Sequence, residues 1–196
     1  MEEDSGLPAN AGPRFGNNDV LRHTILPYCL LGFLVALLAP EESSKYPTIA
    51  AVISGVSSCI PGIDHLANAT ASPGATRVFL AVMWIFFPLV VAIATPQVDL
   101  ACVPRLHLLR RSDQWFLVGT GVAISLFSLM MIAFFPAITM AEAVSQGGRG
   151  GWLMIALTQS RIGLALIGPL FFCIAATWSA ATIKLAYLVS QTERTR

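Results

Sequence analysis

The sequence predicts an all-α fold: an integral membrane bundle of four transmembrane helices plus an amphipathic outer-loop helix. Three observations predict it. First, 55% of the 196 residues are hydrophobic and only 12% are charged, whereas a soluble domain carries about 25% charged residues; the mean hydropathy is +0.69. Second, four apolar runs stand out, at 21–39, 78–95, 115–141 and 162–183, and a span needs about 20 apolar residues to cross roughly 30 Å of hydrocarbon. Third, none of the runs alternates polar and apolar residues as barrel strands do. In lipid each backbone N–H and C=O must then be satisfied within its own segment, which makes the runs helices.

The elements follow in order. Residues 1–19 begin Met1-Glu2-Glu3-Asp4 and continue rich in Gly, Pro and Asn. A signal peptide needs a positive start, so this segment reads as a disordered cytoplasmic tail, with the first span as its own targeting signal. The first run has Arg22 and His23 at its start, placed to snorkel to headgroups, and ends at Pro40-Glu41-Glu42. The loop 40–77 contains Ile49, Val52, Ile53, Val56 and Ile60 at helical spacing. Residues 48–60 as a helix would be about 20 Å long, too short to cross. They are expected to lie on the membrane surface or cap the bundle, ended by Pro61-Gly62. Ser72-Pro73 reads as an N-cap and N1 proline, and Pro96 ends the second run. The third run is long enough to tilt or project. The Gly-rich 145–151 segment leads to an apolar interfacial approach at 152–160, and Arg161 and Lys184 bracket the fourth run. Residues 191–196 form a second cytoplasmic tail. The transmembrane domain is thus 20–190. Each span carries a proline (Pro27, Pro88, Pro136 and Pro169); those in helix interiors leave carbonyls that neighbours must satisfy.

Orientation follows the Lys/Arg bias. With both termini and the 96–114 loop on one side, that side holds eight of the twelve Lys and Arg residues. Arg105, Arg110 and Arg111 act as topology determinants in the short loop, so both termini are expected in the cytoplasm, in a bacterial inner membrane. Trp115, Trp152, Tyr46 and Tyr187 fall near the boundaries, as an aromatic belt would.

Chemistry is sparse. The apolar cores of the four runs contain no Asp, Glu, Lys, Arg or His, the residues that mark ion and proton paths. No catalytic residue, cofactor or metal site is expected. Asp64-His65 is the one acid/base pair on the outer side, and a solvated or capping role is its plainer reading. Cys29, Cys59, Cys102 and Cys173 form no CxxC pair and read as small apolar filler. Small residues four apart, Gly121 with Ser125, Ala175 with Ser179 and Ala176 with Ala180, let helices approach closely. They serve either packing within the chain or docking of another membrane protein's helix.

Several four-span families fail on their own residues. Only Cys59 faces outward, where quinone-linked disulfide oxidoreductases need cysteine pairs. Ser57-Ser58-Cys59 is not the Cys-Cys-Gly of tetraspanins, and the claudin Gly-Leu-Trp is absent. Gly55-Val56-Ser57 has the Gly-x-Ser of intramembrane serine proteases, but no span carries a histidine. In architecture, the chain resembles the small bacterial inner-membrane immunity proteins that protect a cell from pore-forming toxins. The resemblance covers the four spans and rests on no sequence motif. It implies a non-enzymatic protein that recognises a membrane-inserted toxin through helix faces and outer loops. Ile49, Val52, Ile53, Val56, Ile60, Ala176 and Ala180 are the expected partner contacts. The expected partners are the lipid bilayer and another membrane protein or toxin, or a second copy of the chain; nucleic acid is not among them. The alternatives are a small pore or accessory subunit of a transport or secretion complex, and, more distantly, a membrane enzyme using Asp64 and His65.

Overall fold

The computed structural model describes residues 21–42, 45–98, 100, 109–146 and 159–194. The N-terminal tail, Cys102, Arg105, His107, Arg149 and the expected interfacial approach up to residue 158 lie outside the described residues. Among the described residues all regular structure is helical. A π turn, Leu21–Ile25, leads into α1, Leu26–Leu38, and is followed by α2, Pro47–Cys59, and α3, Gly62–Asn68. The long helices are α4, Pro73–Gln97; α5, Arg111–Gln146; and α6, Arg161–Arg194. Three helices, α4, α5 and α6, are long and apolar enough to cross a membrane, which marks an integral membrane protein. Helix α1, with the preceding turn, is a shorter apolar helix, Arg22–Leu38, about 26 Å long at 1.5 Å per residue.

The helices overrun the apolar runs that signal them. Helix α4 starts at Pro73, where the Ser72-Pro73 pair places it, five residues before the apolar run, and it carries Arg77 in its second turn ion-paired to Asp64. It also continues one residue past Pro96, where Val98 N–H still donates to the Ala94 carbonyl at 3.0 Å. Helix α6 passes Lys184 and runs to Arg194, through the expected C-terminal tail. Its turns beyond Lys184 stay apolar: Val189 packs on Val118 of α5, flanked by Leu185 and Leu188.

Cross-helix contacts fix the directions. Thr24 Oγ1 donates to Gln97 Oε1 at 3.0 Å, and Lys184 Nζ donates to the Pro96 carbonyl at 3.2 Å. The start of α1 and the ends of α4 and α6 therefore share one end of the bundle. At the opposite end Arg161 reaches the Leu37 carbonyl and Ser72. So α4 and α6 run parallel, and α1 runs antiparallel to both and packs against each. Helix α5 is antiparallel to α6, since Val118 meets Val189 and Ser125 meets Thr182.

The core sits where α1, α4 and α6 meet. In lipid the hydrophobic effect does not drive helices together, so close packing and interhelical hydrogen bonds must. Both are present. Gly32 gives α1 its close approach: a Cβ there would lie 2.8 Å from Met83 Sδ and 2.9 Å from Pro169 Cγ. Phe172 is the centre of an aromatic cluster, edge-on to Phe79 at 6.3 Å and to Trp84 at 5.6 Å between centroids. Such pairs favour edge-to-face geometry over a stacked sandwich. Tyr28, buried, donates its hydroxyl to the Met83 carbonyl at 2.7 Å, one residue before Trp84, whose carbonyl loses its helical donor to Pro88. Tyr28→Phe is expected to lower stability in detergent by about 0.6–1.7 kcal/mol, from the average to the largest value for hydrogen bonds between membrane helices. An unchanged unfolding midpoint would show that this carbonyl needs no second donor.

The 40–77 loop is where the architecture departs most from expectation. Pro61 does break the helix, since it has no N–H to continue it. A second helix, α3, then starts at Gly62, and the two meet at a bend of 113°. Burial of Ile63, Leu66 and Ala67 against the core explains why the chain becomes helical again. Jointly the pair is apolar enough for a bent membrane segment. It leaves from Glu41 and returns at Ser72, and these two residues lie at the same end of the bundle, so the excursion returns to its starting side. Its inner face is anchored on α4, with Ile53 packed among Ala75, Val78 and Ala81.

Candidate functional site

Two polar clamps and one open face define the surface available to a partner. The larger clamp is at the Leu38 end of α1. Arg161, the first residue of α6, donates from Nε to Glu41 Oε1 at 3.1 Å and to Ser72 Oγ at 3.3 Å. Its Nη2 also meets Glu41, and its Nη1 donates to the Leu37 carbonyl at 3.4 Å. A cation on the last carbonyls of α1 suits the negative end of that helix. Ser72 occupies the N-cap position of α4 as its sequence suggests, but its hydroxyl makes no cap hydrogen bond and serves Arg161 instead. The Arg161 guanidinium, chiefly by hydrogen bonding, holds the Glu41 carboxyl below the usual carboxylate range.

The second clamp joins α3 to α4. Arg77 Nε donates to Asp64 Oδ1 at 2.9 Å, and Arg77 Nη2 donates to Asn68 Oδ1 at 2.8 Å. Asp64 is thus occupied with positioning, while the adjacent His65 is exposed. No hydrogen bond joins the two side chains. The acid/base pair read from the sequence is two neighbours with different surroundings.

The expected partner contacts divide by burial. Ala176 and Ala180 have no exposed surface, because the chain's own helices cover them. Ile53 is buried on α4, and Val56 and Ile60 are half-buried against the core. Ile49 and Val52 point outward and are exposed. Of the small-residue pairs, Gly121 and Ser125 join α5 to α6: a Cβ at Gly121 would lie 2.8 Å from Thr182 Oγ1. Thr182 donates to the Trp178 carbonyl at 2.9 Å, so its oxygen is left to accept the Ser125 hydroxyl at 3.1 Å. Arg110 and Arg111 are exposed at the start of α5, and Arg111 is its first residue.

Of the three long helices, α5 has the most open surface over Arg111–Met130, which sequence reasoning did not single out. Only 17% of the apolar window in Arg111–Met130 is buried, against 50% for α4 and 44% for α6. Phe116, Val122, Leu126 and Phe127 are exposed there, and no side chain approaches the Cβ position of Gly119 within 4 Å. The sequence holds no signal for this: α5 is as apolar all round as a lipid-facing or partner-facing helix requires, and only the arrangement of its neighbours shows which side is left uncovered.

No protein family, curated protein or solved structure matches this chain.

Proposed function

We propose that this chain is a non-enzymatic membrane protein that recognises another membrane-inserted protein, and that it acts as an immunity protein against a pore-forming toxin. The observation that carries the recognition reading is the uncovered face of α5, flanked by a tightly locked α1–α4–α6 core. A rigid core with one open apolar helix presents a pre-formed docking face. The toxin assignment rests on the architectural resemblance. In the same reading the chain crosses an inner membrane four times, with both termini in the cytoplasm. Helix α1 supports the fourth crossing, because it reaches from the Gln97 end of α4 to the Arg161 end of α6. The positive-inside bias supports the orientation.

The test is direct. A photoreactive residue at Phe116, Val122 or Phe127 is expected to crosslink the product of a neighbouring toxin gene in cells that express both. Deleting this protein is expected to let that toxin alone depolarise the cells. Lipid-only adducts together with unchanged depolarisation would end the reading.

A further inference from the structure

We propose that the groove between α4, α5 and α6 binds one anionic phospholipid from the leaflet at the Lys184 end, with its phosphate at Lys184 and an acyl chain along Phe87, Val91 and Leu129. The groove is open on one side and has a volume of about 770 Å³, within the roughly 300–1,000 Å³ typical of small-molecule sites. Its walls are almost wholly apolar, and Pro88 and Ala92 form part of its α4 side.

Polar groups gather toward one end. Lys184 is half-buried and spends one of its three N–H donors on the Pro96 carbonyl. Among the described residues no carboxylate pairs with it. Because α6 stays apolar past this point and packs on Val118, the ammonium lies beside an apolar surface and not past its end. An ionisable group at such a position marks a site for a partner of opposite charge. Tyr187 lines the same end. Its hydroxyl accepts from Gln191 Nε2 at 2.6 Å, which leaves its own proton to donate. Ser179, in the groove wall, is buried, and its hydroxyl has no hydrogen-bond partner among the described residues.

The donor set selects the ligand. An ammonium and a phenol both favour an anion, while the apolar walls favour a hydrocarbon chain, so an amphiphile with an acidic head fits both. A zwitterionic headgroup would bring a second cation toward Lys184. Arg22, Arg110 and Arg111 lie at this same end of the bundle, and juxtamembrane basic residues draw anionic lipid. Basic pockets between helices are where such headgroups bind. The inference holds whether or not the protein partner is a toxin.

The test is native mass spectrometry of the purified full chain in detergent, titrated with phosphatidylglycerol or phosphatidylcholine. One phosphatidylglycerol is expected to bind at least about tenfold more tightly than phosphatidylcholine. Lys184→Gln is expected to weaken it by about tenfold or more, as loss of a charge-assisted hydrogen bond does, and Lys184→Arg to retain it. Ala92→Phe, which fills the groove from an exposed position and leaves the charge in place, is expected to weaken it comparably. If Lys184→Gln fails to fold, Lys184→Arg and Ala92→Phe still decide. Equal binding of both lipids, displacement by inorganic phosphate, full binding by Ala92→Phe, or a lipid-free dimer with the groove occupied by a second copy would each overturn the proposal.

Discussion

Gly74→Ala is expected to destabilise the protein by about 2–3 kcal/mol, toward the upper part of the range for overpacking. The reason is geometric. A Cβ at Gly74 would lie 1.7 Å from the Glu41 carbonyl oxygen and 2.5 Å from its carbonyl carbon. These are backbone atoms, so no rotamer change can relieve the overlap. Either the turn after α1 or the first turn of α4 must move. That movement would also pull Glu41 from Arg161 and Ser72 from its place beside them. The unfolding midpoint in detergent should fall, and Arg161-dependent stability should fall with it. A Gly74→Ala protein as stable as the wild type would mean that the turn and the helix do not touch.

Arg161→Met is expected to cost about 1–2 kcal/mol. A hydrogen bond to a charged group contributes about 1.5–3 kcal/mol, but this clamp is partly exposed, with 32% and 46% of the Arg161 and Glu41 side chains accessible, and solvent screening reduces it. The clamp still joins the end of α1, the start of α4 and the start of α6, so its loss should be felt by all three. The pH dependence has a definite sign. The Glu41 carboxyl is lowered in the fold from its usual value of 4.5. Its stabilisation is therefore present above that value and is lost as pH falls through the lower, folded value. Unfolding midpoints followed from about pH 6 to pH 3 should show this acid loss in the wild type and a shallower one in Arg161→Met. Parallel curves would show that the carboxylate gains nothing from Arg161.

Much of the fold is legible in the sequence because lipid leaves few options. Apolar runs of sufficient length must be helices, and α4, α5 and α6 are. Prolines and charges mark where the apolar runs stop, but not where the helices stop. Arg77 and Pro96 both lie inside α4, the first because Asp64 and Asn68 bind it and the second because the helix end there has a remaining donor in Val98. The 48–60 segment is legible as a helix, whereas α3 is not: seven residues containing Asp64, His65 and Asn68 carry little periodic signal, and what makes them helical is burial of Ile63, Leu66 and Ala67 on a neighbour. The candidate contacts show the same limit. Ile49 and Ile53 have the same chemistry, yet one faces out and the other packs on α4.

Helicity, suitability for a membrane and the absence of charge from the cores of the apolar runs are all set by the sequence. Those properties depend on composition and run length, which the solvent reads directly. The packing of the helices is what sets α1 against both α4 and α6, covers Ala176 and Ala180, and leaves α5 open over Arg111–Met130. It also placed Lys184, which ends the apolar run in sequence, beside an apolar groove with α6 continuing beyond it. These depend on which helix faces meet, and among nearly uniform apolar helices that is set by a few close approaches, Gly32 against Pro169 and Gly74 against Glu41, and by hydrogen bonds such as Tyr28 to Met83 across distant parts of the chain.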